Sequence, residues 1–175
     1  ALPISCGPNE TKVPTTQESV FEHLENINAD KELKPYVFEV VSRCAELSEL
    51  RREACYARAM KLQSIKYLEN MSSETEDPNG EVVGLCKVYA TYSRIWILRN
   101  YVAAESLKMR NLMWHEIGHC VLNYDHVETR THIMNPSVLS EEYLGDNWPL
   151  LASDFLGGSN VPAFTLTDEK CDHCY

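Results

Sequence analysis

Residues 113–126 read MWHEIGHCVLNYDH, and they carry the strongest functional signal in the chain. His115 and His119 are four residues apart, so on a helix both imidazoles lie on one face and can share one metal ion. Glu116 follows the first of them, and its carboxylate can reach a water on that ion without itself being a ligand. The pattern therefore predicts a zinc site in which Glu116 is the general base.

The sequence that follows this pattern resembles the metzincin zinc peptidases. In that family the motif HExxHxxGxxH supplies three histidines, a glycine lets the chain turn after the helix, and a Met-turn lies beneath the metal. Here His126 comes after the first two histidines, and residues 133–136 (IMNP) resemble the Met-turn of the matrixin-like branch. The resemblance covers residues 84–155 and implies a zinc metalloendopeptidase, a hydrolase of peptide or protein substrates. It implies zinc (Zn2+) ligands His115, His119 and His126, with Glu116 as the catalytic residue.

The spacing to the third histidine is one residue longer than in the family. The family's histidine would fall at Asp125 and its glycine at Leu122. Because asparagine tolerates a left-handed backbone well, we place the turn at Asn123, which brings His126 to the metal. Asp125 is the competing third ligand, since a carboxylate also binds zinc, and it can instead act as a hydrogen-bond acceptor behind the ligands.

A second alternative for the third ligand comes from the thermolysin-like group, which uses a glutamate in the pattern ExxxD. Residues 142–146 match that pattern, with Glu142 and Asp146 at its ends. Glutamate and aspartate are abundant in this chain, and this assignment leaves His126 and the Met-turn without a role. We therefore favour the three histidines.

The expected fold is an α/β (α+β) domain of zincin or metzincin type. We expect a small twisted mixed sheet, a long N-terminal helix and the helix that carries the histidines, with the strand at 94–99 beside the cleft. Residues 1–18 have no periodicity and contain several prolines, so we expect an irregular segment there and a single catalytic domain over 19–175. Apolar spacing predicts helices at 20–58, 106–122 and 147–156 and strands at 60–68, 82–89 and 94–99.

The charge of the chain limits its partners. The formal net charge is −10 and the pI is near 5.0, so the chain lacks the broad positive field that attracts nucleic acids. No stretch approaches the roughly 20 apolar residues of a membrane span. We expect a monomer that acts on peptides and binds neither nucleic acid nor the bilayer core.

Seven cysteines in 175 residues favour an oxidising compartment, so we expect a secreted or cell-envelope protein, with lipid anchoring as a variant. Cys6 has three interpretations: a disulfide partner, a lipidated cysteine or a thiolate that caps the zinc. The candidate disulfides are Cys44 with Cys55 and Cys86 with Cys120, and buried thiols are the alternative for each pair. The C-terminal Cys171 and Cys174 indicate a terminal disulfide or a frayed tail more than a second metal site.

Two other functions remain open at this stage. One is a degenerate or latent zinc-binding module that binds peptides, and the other is a zinc amidase that acts on a non-protein substrate. Glu116 favours an enzyme, because a purely structural zinc site has no use for a base and closes its fourth position with a protein ligand.

Overall fold

The computed structural model of the chain describes residues 15–71, 74, 82–158 and 173–174. Helices and strands are mixed along these ranges, which confirms the expected α/β class. The helices are α1 (Gln17–Asn26), α2 (Lys34–Arg43), α3 (Glu49–Ala59), α4 (Leu107–Ile117) and α5 (Glu141–Gly157), with a 3-10 turn at Cys44–Glu46 and a π-helical turn at Gly118–Leu122. The strands are β1 (Asn28–Ala29), β2 (Leu62–Leu68), β3 (Gly84–Val88), β4 (Ser93–Leu98) and β5 (His173–Cys174).

The strands form one mixed sheet in the order β1-β2-β4-β3-β5. β1, β2 and β4 run parallel, whereas β3 is antiparallel to both β4 and β5. Three strands predicted from alternation, at 60–68, 82–89 and 94–99, correspond to β2, β3 and β4. The expectation that 94–99 borders the cleft is wrong, because β4 lies between β2 and β3 and the strand packed on α4 is β3.

The single long helix expected at 20–58 is also wrong, since the chain forms three helices there. The first break is at β1, which pairs with β2, and the Asp30 carboxylate accepts a hydrogen bond from the backbone of Tyr67 at 2.6 Å. The second break is at Leu47 and Ser48, whose backbones are extended with ψ of 162° and 154°. All three helices bury apolar faces in the same core, which explains why their combined pattern resembles one helix.

Helix α4 is the central element of the core. Every residue from Asn111 to Ile117 is buried, so this helix is enclosed on all sides rather than amphipathic. The indole ring of Trp114 packs against the indole ring of Trp148 and the phenyl ring of Phe155, and the ring centroids are 5.2 Å apart in both pairs. This surrounding packing leaves the two motif histidines and Glu116 little freedom to move.

Helix α5 begins six residues before the helix predicted at 147–156. The Ser140 hydroxyl accepts a hydrogen bond from the Tyr143 backbone and caps the new first turn. Pro149 lies inside the helix, where a sequence pattern would place a boundary. The predicted glycine end is confirmed, because Gly158 has a left-handed backbone with φ of 60°.

Two disulfides join the candidate cysteine pairs, Cys44 to Cys55 and Cys86 to Cys120. The second one closes a separation of 34 residues, for which chain-entropy arguments give a stabilisation of about 4 kcal/mol. It fixes β3 to the residue that follows His119. Cys6 and most of the expected irregular segment 1–18 lie outside the described residues, as does Cys171.

Within the described part of the chain, no helix is long and apolar enough to cross a membrane.

Candidate metal centre

Three imidazoles meet at the end of α4. The Nε2 atom of His115 lies 2.9 Å from that of His119 and 3.1 Å from that of His126, and the last two are 3.2 Å apart. His115 and His119 are buried and His126 is partly buried. Among the described residues, these three side chains form a group that could hold a metal ion.

Backbone carbonyls fix the protonation of two of these rings. Nδ1 of His115 lies 2.8 Å from the carbonyl oxygen of Ile133, and Nδ1 of His119 lies 2.6 Å from that of Tyr124. A carbonyl oxygen only accepts, so each Nδ1 carries the proton and each Nε2 of a neutral ring has a lone pair. Two lone pairs 2.9 Å apart repel one another. Their convergence is chemically reasonable when a cation lies between them.

The extra residue in the motif is absorbed by the π-helical turn. A π turn closes its hydrogen bond over five residues instead of four, so the helix gains one residue without losing the direction of its axis. The turn ends at Asn123, whose backbone is left-handed with φ of 59° and ψ of 41°. The turn predicted at Asn123 is therefore confirmed, and it redirects the chain towards His126.

The competing ligands lie elsewhere. The Asp125 carboxylate accepts a hydrogen bond from the backbone N–H of His126 at 2.7 Å, so it braces the loop that carries this histidine. Glu142 and Asp146 of the ExxxD pattern are exposed on α5 and do not belong to the histidine group. The geometry brings His126, and none of these carboxylates, to the other two histidines.

The predicted Met-turn lies directly beneath the histidine helix. Ile133 and Met134 are fully buried, and the Met134 carbonyl accepts a hydrogen bond from the backbone of Val127 at 3.0 Å. The helix approaches closely because residue 118 is glycine: a Cβ atom there would be 2.6 Å from Met134 Sδ. The turn thus supports the helix from below and also supplies the Ile133 carbonyl that orients His115.

His132 holds this turn in place. Its Nδ1 accepts a hydrogen bond from the backbone N–H of Met134 at 2.9 Å. Burial lowers the pKa of His132, with Asp154 acting in the opposite direction. The residue has a structural role, and it works in its neutral form.

Glu116 is a buried carboxyl beside the histidines. It is 0% exposed, and neither carboxylate oxygen makes a well-formed hydrogen bond to the described residues. Burial raises the pKa of Glu116 well above its ordinary value, and the nearby Cys86 backbone amide opposes that rise. A cation among the histidines would favour the ionised carboxylate. A group of this kind is suited to accept a proton and return it.

Strand β3 reaches Glu116 through a glycine. A Cβ atom on Gly84 would lie 2.6 Å from Glu116 Oε1 and 2.7 Å from Leu112 Cδ1. A side chain at this position would force Glu116 or Leu112 to shift, so β3 is the wall of the site beside Glu116. Sequence patterns do not predict this role, because Gly84 and Glu116 are distant along the chain.

Sequence analysis also missed the support behind His119. Arg51 donates hydrogen bonds to the carbonyl oxygens of Gly157 at 2.7 Å and Leu156 at 2.9 Å, and to the hydroxyl of Tyr124. The backbone of that tyrosine orients His119. Arg51 therefore connects α3, the end of α5 and the segment after the π turn, and no local pattern indicates a contact over 73 residues.

Comparisons with protein-family models, curated proteins and solved structures find no match to this chain.

Proposed function

We propose that this chain is a zinc-dependent endopeptidase of the metzincin type, with zinc held by His115, His119 and His126 and Glu116 as general base and then general acid. The observation that carries the proposal is the convergence of three imidazole Nε2 atoms within 2.9–3.2 Å of one another, beside a fully buried glutamate. No other described group combines metal ligands with a proton acceptor.

Zinc fits this donor set better than calcium or magnesium. Zinc–imidazole bonds of about 2.0–2.1 Å in tetrahedral geometry put the nitrogens about 3.3 Å apart, close to the observed separations. Hard cations such as calcium and magnesium prefer oxygen ligands, whereas imidazole suits zinc. Three protein ligands also leave a fourth position open, as in catalytic zinc sites. When bound, zinc supplies a Lewis acid and lowers the pKa of a water molecule towards about 7.

Glu116 accounts for the proton transfers of peptide hydrolysis. Its carboxylate takes a proton from the attacking water as the new carbon–oxygen bond forms, and the resulting carboxyl gives that proton to the leaving amine. Its burial excludes bulk water, which would otherwise exchange the proton. A neutral carboxyl is compatible with this buried position, so the same residue can perform both steps.

The wall formed by β3 favours an extended peptide as substrate. A peptide that pairs with a strand edge gains backbone hydrogen bonds whatever its sequence, and its scissile carbonyl can then reach the zinc and Glu116. An acidic chain of net charge −10 does not favour nucleic acid as a partner. We therefore assign peptides or proteins as the substrate class, with a monomer as the active form.

The two disulfides support an extracytoplasmic location. Disulfides persist in oxidising compartments and are rare where glutathione and thioredoxin keep thiols reduced. Cys86–Cys120 lies within the proposed site, so the enzyme needs oxidising conditions to keep its geometry. Secretion or residence in the cell envelope meets this need.

The experiment that tests the proposal is cleavage of an unfolded protein by the purified chain, followed through metal removal and return. A chelator should stop cleavage and zinc should restore it. His126→Ala should lose zinc and activity, whereas Asp125→Ala should keep zinc, because the aspartate is not a ligand. Zinc binding without cleavage of any protein would replace the proposal with a peptide-binding module or a non-protein amidase.

A further inference from the structure

The outer edge of β3 is paired with the C-terminal end of the chain. β5 runs antiparallel to β3, with Cys86 opposite His173 and Leu85 opposite Cys174. This strand is short, and it is the last element of the sheet on that side. It covers the edge along which an extended substrate would pair.

The hydrogen bonds of β3 identify which residues serve that outer edge. The Val83 carbonyl accepts from Leu98, and the Tyr89 amide donates to the carbonyl of Tyr92, so both residues bond on the β4 side. Bonding direction alternates from residue to residue in an antiparallel ladder. Odd-numbered residues therefore face β4, and the even-numbered Gly84, Cys86 and Val88 present their N–H and C=O groups to the outer edge.

These outward residues border the proposed catalytic centre. Gly84 approaches Glu116, and the Cys86 side chain is joined to Cys120, the neighbour of His119. The outer edge of β3 accommodates one strand at a time, because each backbone group there has one direction in which to bond. A substrate and β5 consequently compete for the same backbone groups.

We propose that strand β5 (His173–Cys174) is an internal competitor of the substrate, held on the outer edge of β3 by backbone pairing of His173 with Cys86. The proposal rests on the proposed peptidase function for its consequence, which is self-inhibition of the chain. The edge itself is a binding surface for extended peptides, and its occupant in this structure is β5.

The strength of this inhibition follows from tethering. A segment attached to its own binding site has an effective concentration of the order of millimolar, which matches the weak affinity of a two-residue pairing. Release should therefore raise kcat/KM by roughly twofold, and the same segment added as a separate peptide should inhibit at about millimolar concentration.

The test compares His173→Pro with His173→Ala. Both substitutions remove the imidazole, but only proline removes the N–H that pairs with the Cys86 carbonyl. We expect the proline variant to cleave an unfolded protein with the higher kcat/KM and the alanine variant to match the natural chain. Equal rates in all three proteins, or equal activation by both substitutions, would overturn the proposal, since backbone pairing would then not limit access.

A second readout does not depend on cleavage. In a Glu116→Gln background, the nuclear Overhauser contact between the Hα atoms of Leu85 and Cys174 should be present with His173→Ala and lost with His173→Pro. If this contact differs but no form cleaves protein, the peptidase proposal fails and the pairing stands. If the contact is missing from both variants, the pairing itself is refuted.

A peptide added in trans completes the test. A synthetic peptide of residues 168–175 should inhibit the His173→Pro variant. The peptide carries Cys171→Ser and Cys174→Ser, so that none of its thiols can bind zinc. The same peptide carrying proline at 173 should not inhibit that variant. Inhibition by both peptides would contradict a mechanism based on backbone pairing.

Discussion

Gly84→Ala is the substitution that most directly probes the contact between β3 and Glu116, the proposed general base. The added methyl carbon would lie 2.6 Å from Glu116 Oε1 and 2.7 Å from Leu112 Cδ1. Ordinary van der Waals contacts begin near 3.5 Å, so the carboxylate must retreat by about 1 Å. A misplacement of that size typically lowers kcat by about 100-fold, and the overpacking destabilises the fold by about 1–3 kcal/mol.

The assay measures kcat on an unfolded protein, zinc content and unfolding in urea for the same preparation. Zinc content should stay at the level of the natural chain, because the atoms nearest to the new methyl belong to Glu116 and Leu112 and to no histidine. Gly145→Ala is the matched control. Its Cβ would meet only Leu107 Cδ1, at 3.8 Å, and alanine in a helix should stabilise it by about 0.5–1 kcal/mol with unchanged kcat.

The result that would refute this reasoning is a Gly84→Ala variant with full kcat and normal zinc. Glu116 would then not be the base, or its carboxylate would work from a different position. A loss of kcat that is accompanied by loss of zinc would also contradict it, since the damage would extend to the ligands.

Three further substitutions test the supports of the site. Asn123→Val should lower the unfolding free energy of the zinc-loaded protein by about 2 kcal/mol relative to Asn123→Gly, because a β-branched residue resists the left-handed backbone; urea denaturation measures both. Burial lowers the pKa of His132, so the contribution of this residue to stability should be complete above pH 6.5 and should decline as the pH falls below that value. Melting curves recorded over a range of pH should show a smaller decline for His132→Asn. Arg51→Met should lower the unfolding free energy by about 1–2 kcal/mol, since it leaves the partly buried Leu156 carbonyl and Tyr124 hydroxyl without their donor.

The parts of the site that sequence analysis predicted are those determined by local spacing. Two histidines four residues apart on a helix must share a face, and an asparagine at 123 tolerates the one backbone conformation that turns the chain towards His126. The pattern could not show how the helix accommodates an extra residue. The π turn at Gly118–Leu122 packs against Met134, which comes close to Gly118, and local spacing does not predict this contact.

The parts that sequence analysis missed depend on contacts between distant segments. The N-terminal helical periodicity does not reveal the breaks at β1 and at Leu47, because the strand pairing and the extended backbone there are set by β2 and by packing. The alternation of apolar and polar residues predicts strands but not their order in the sheet. That order is the reason why β3, and not β4, forms the wall of the site. Arg51 and Tyr124 meet only after α3 and the π turn have packed together.

The most direct test of the central claim is a comparison of the natural chain with Glu116→Gln, in which zinc content and cleavage of an unfolded protein are measured on the same samples. Glutamine keeps the shape of the buried side chain but cannot accept the proton. We predict one zinc per chain in both proteins and a loss of cleavage by at least about 100-fold in the variant, the scale of general-base catalysis. Cleavage that survives the substitution, or a natural chain that binds no zinc, would contradict the account.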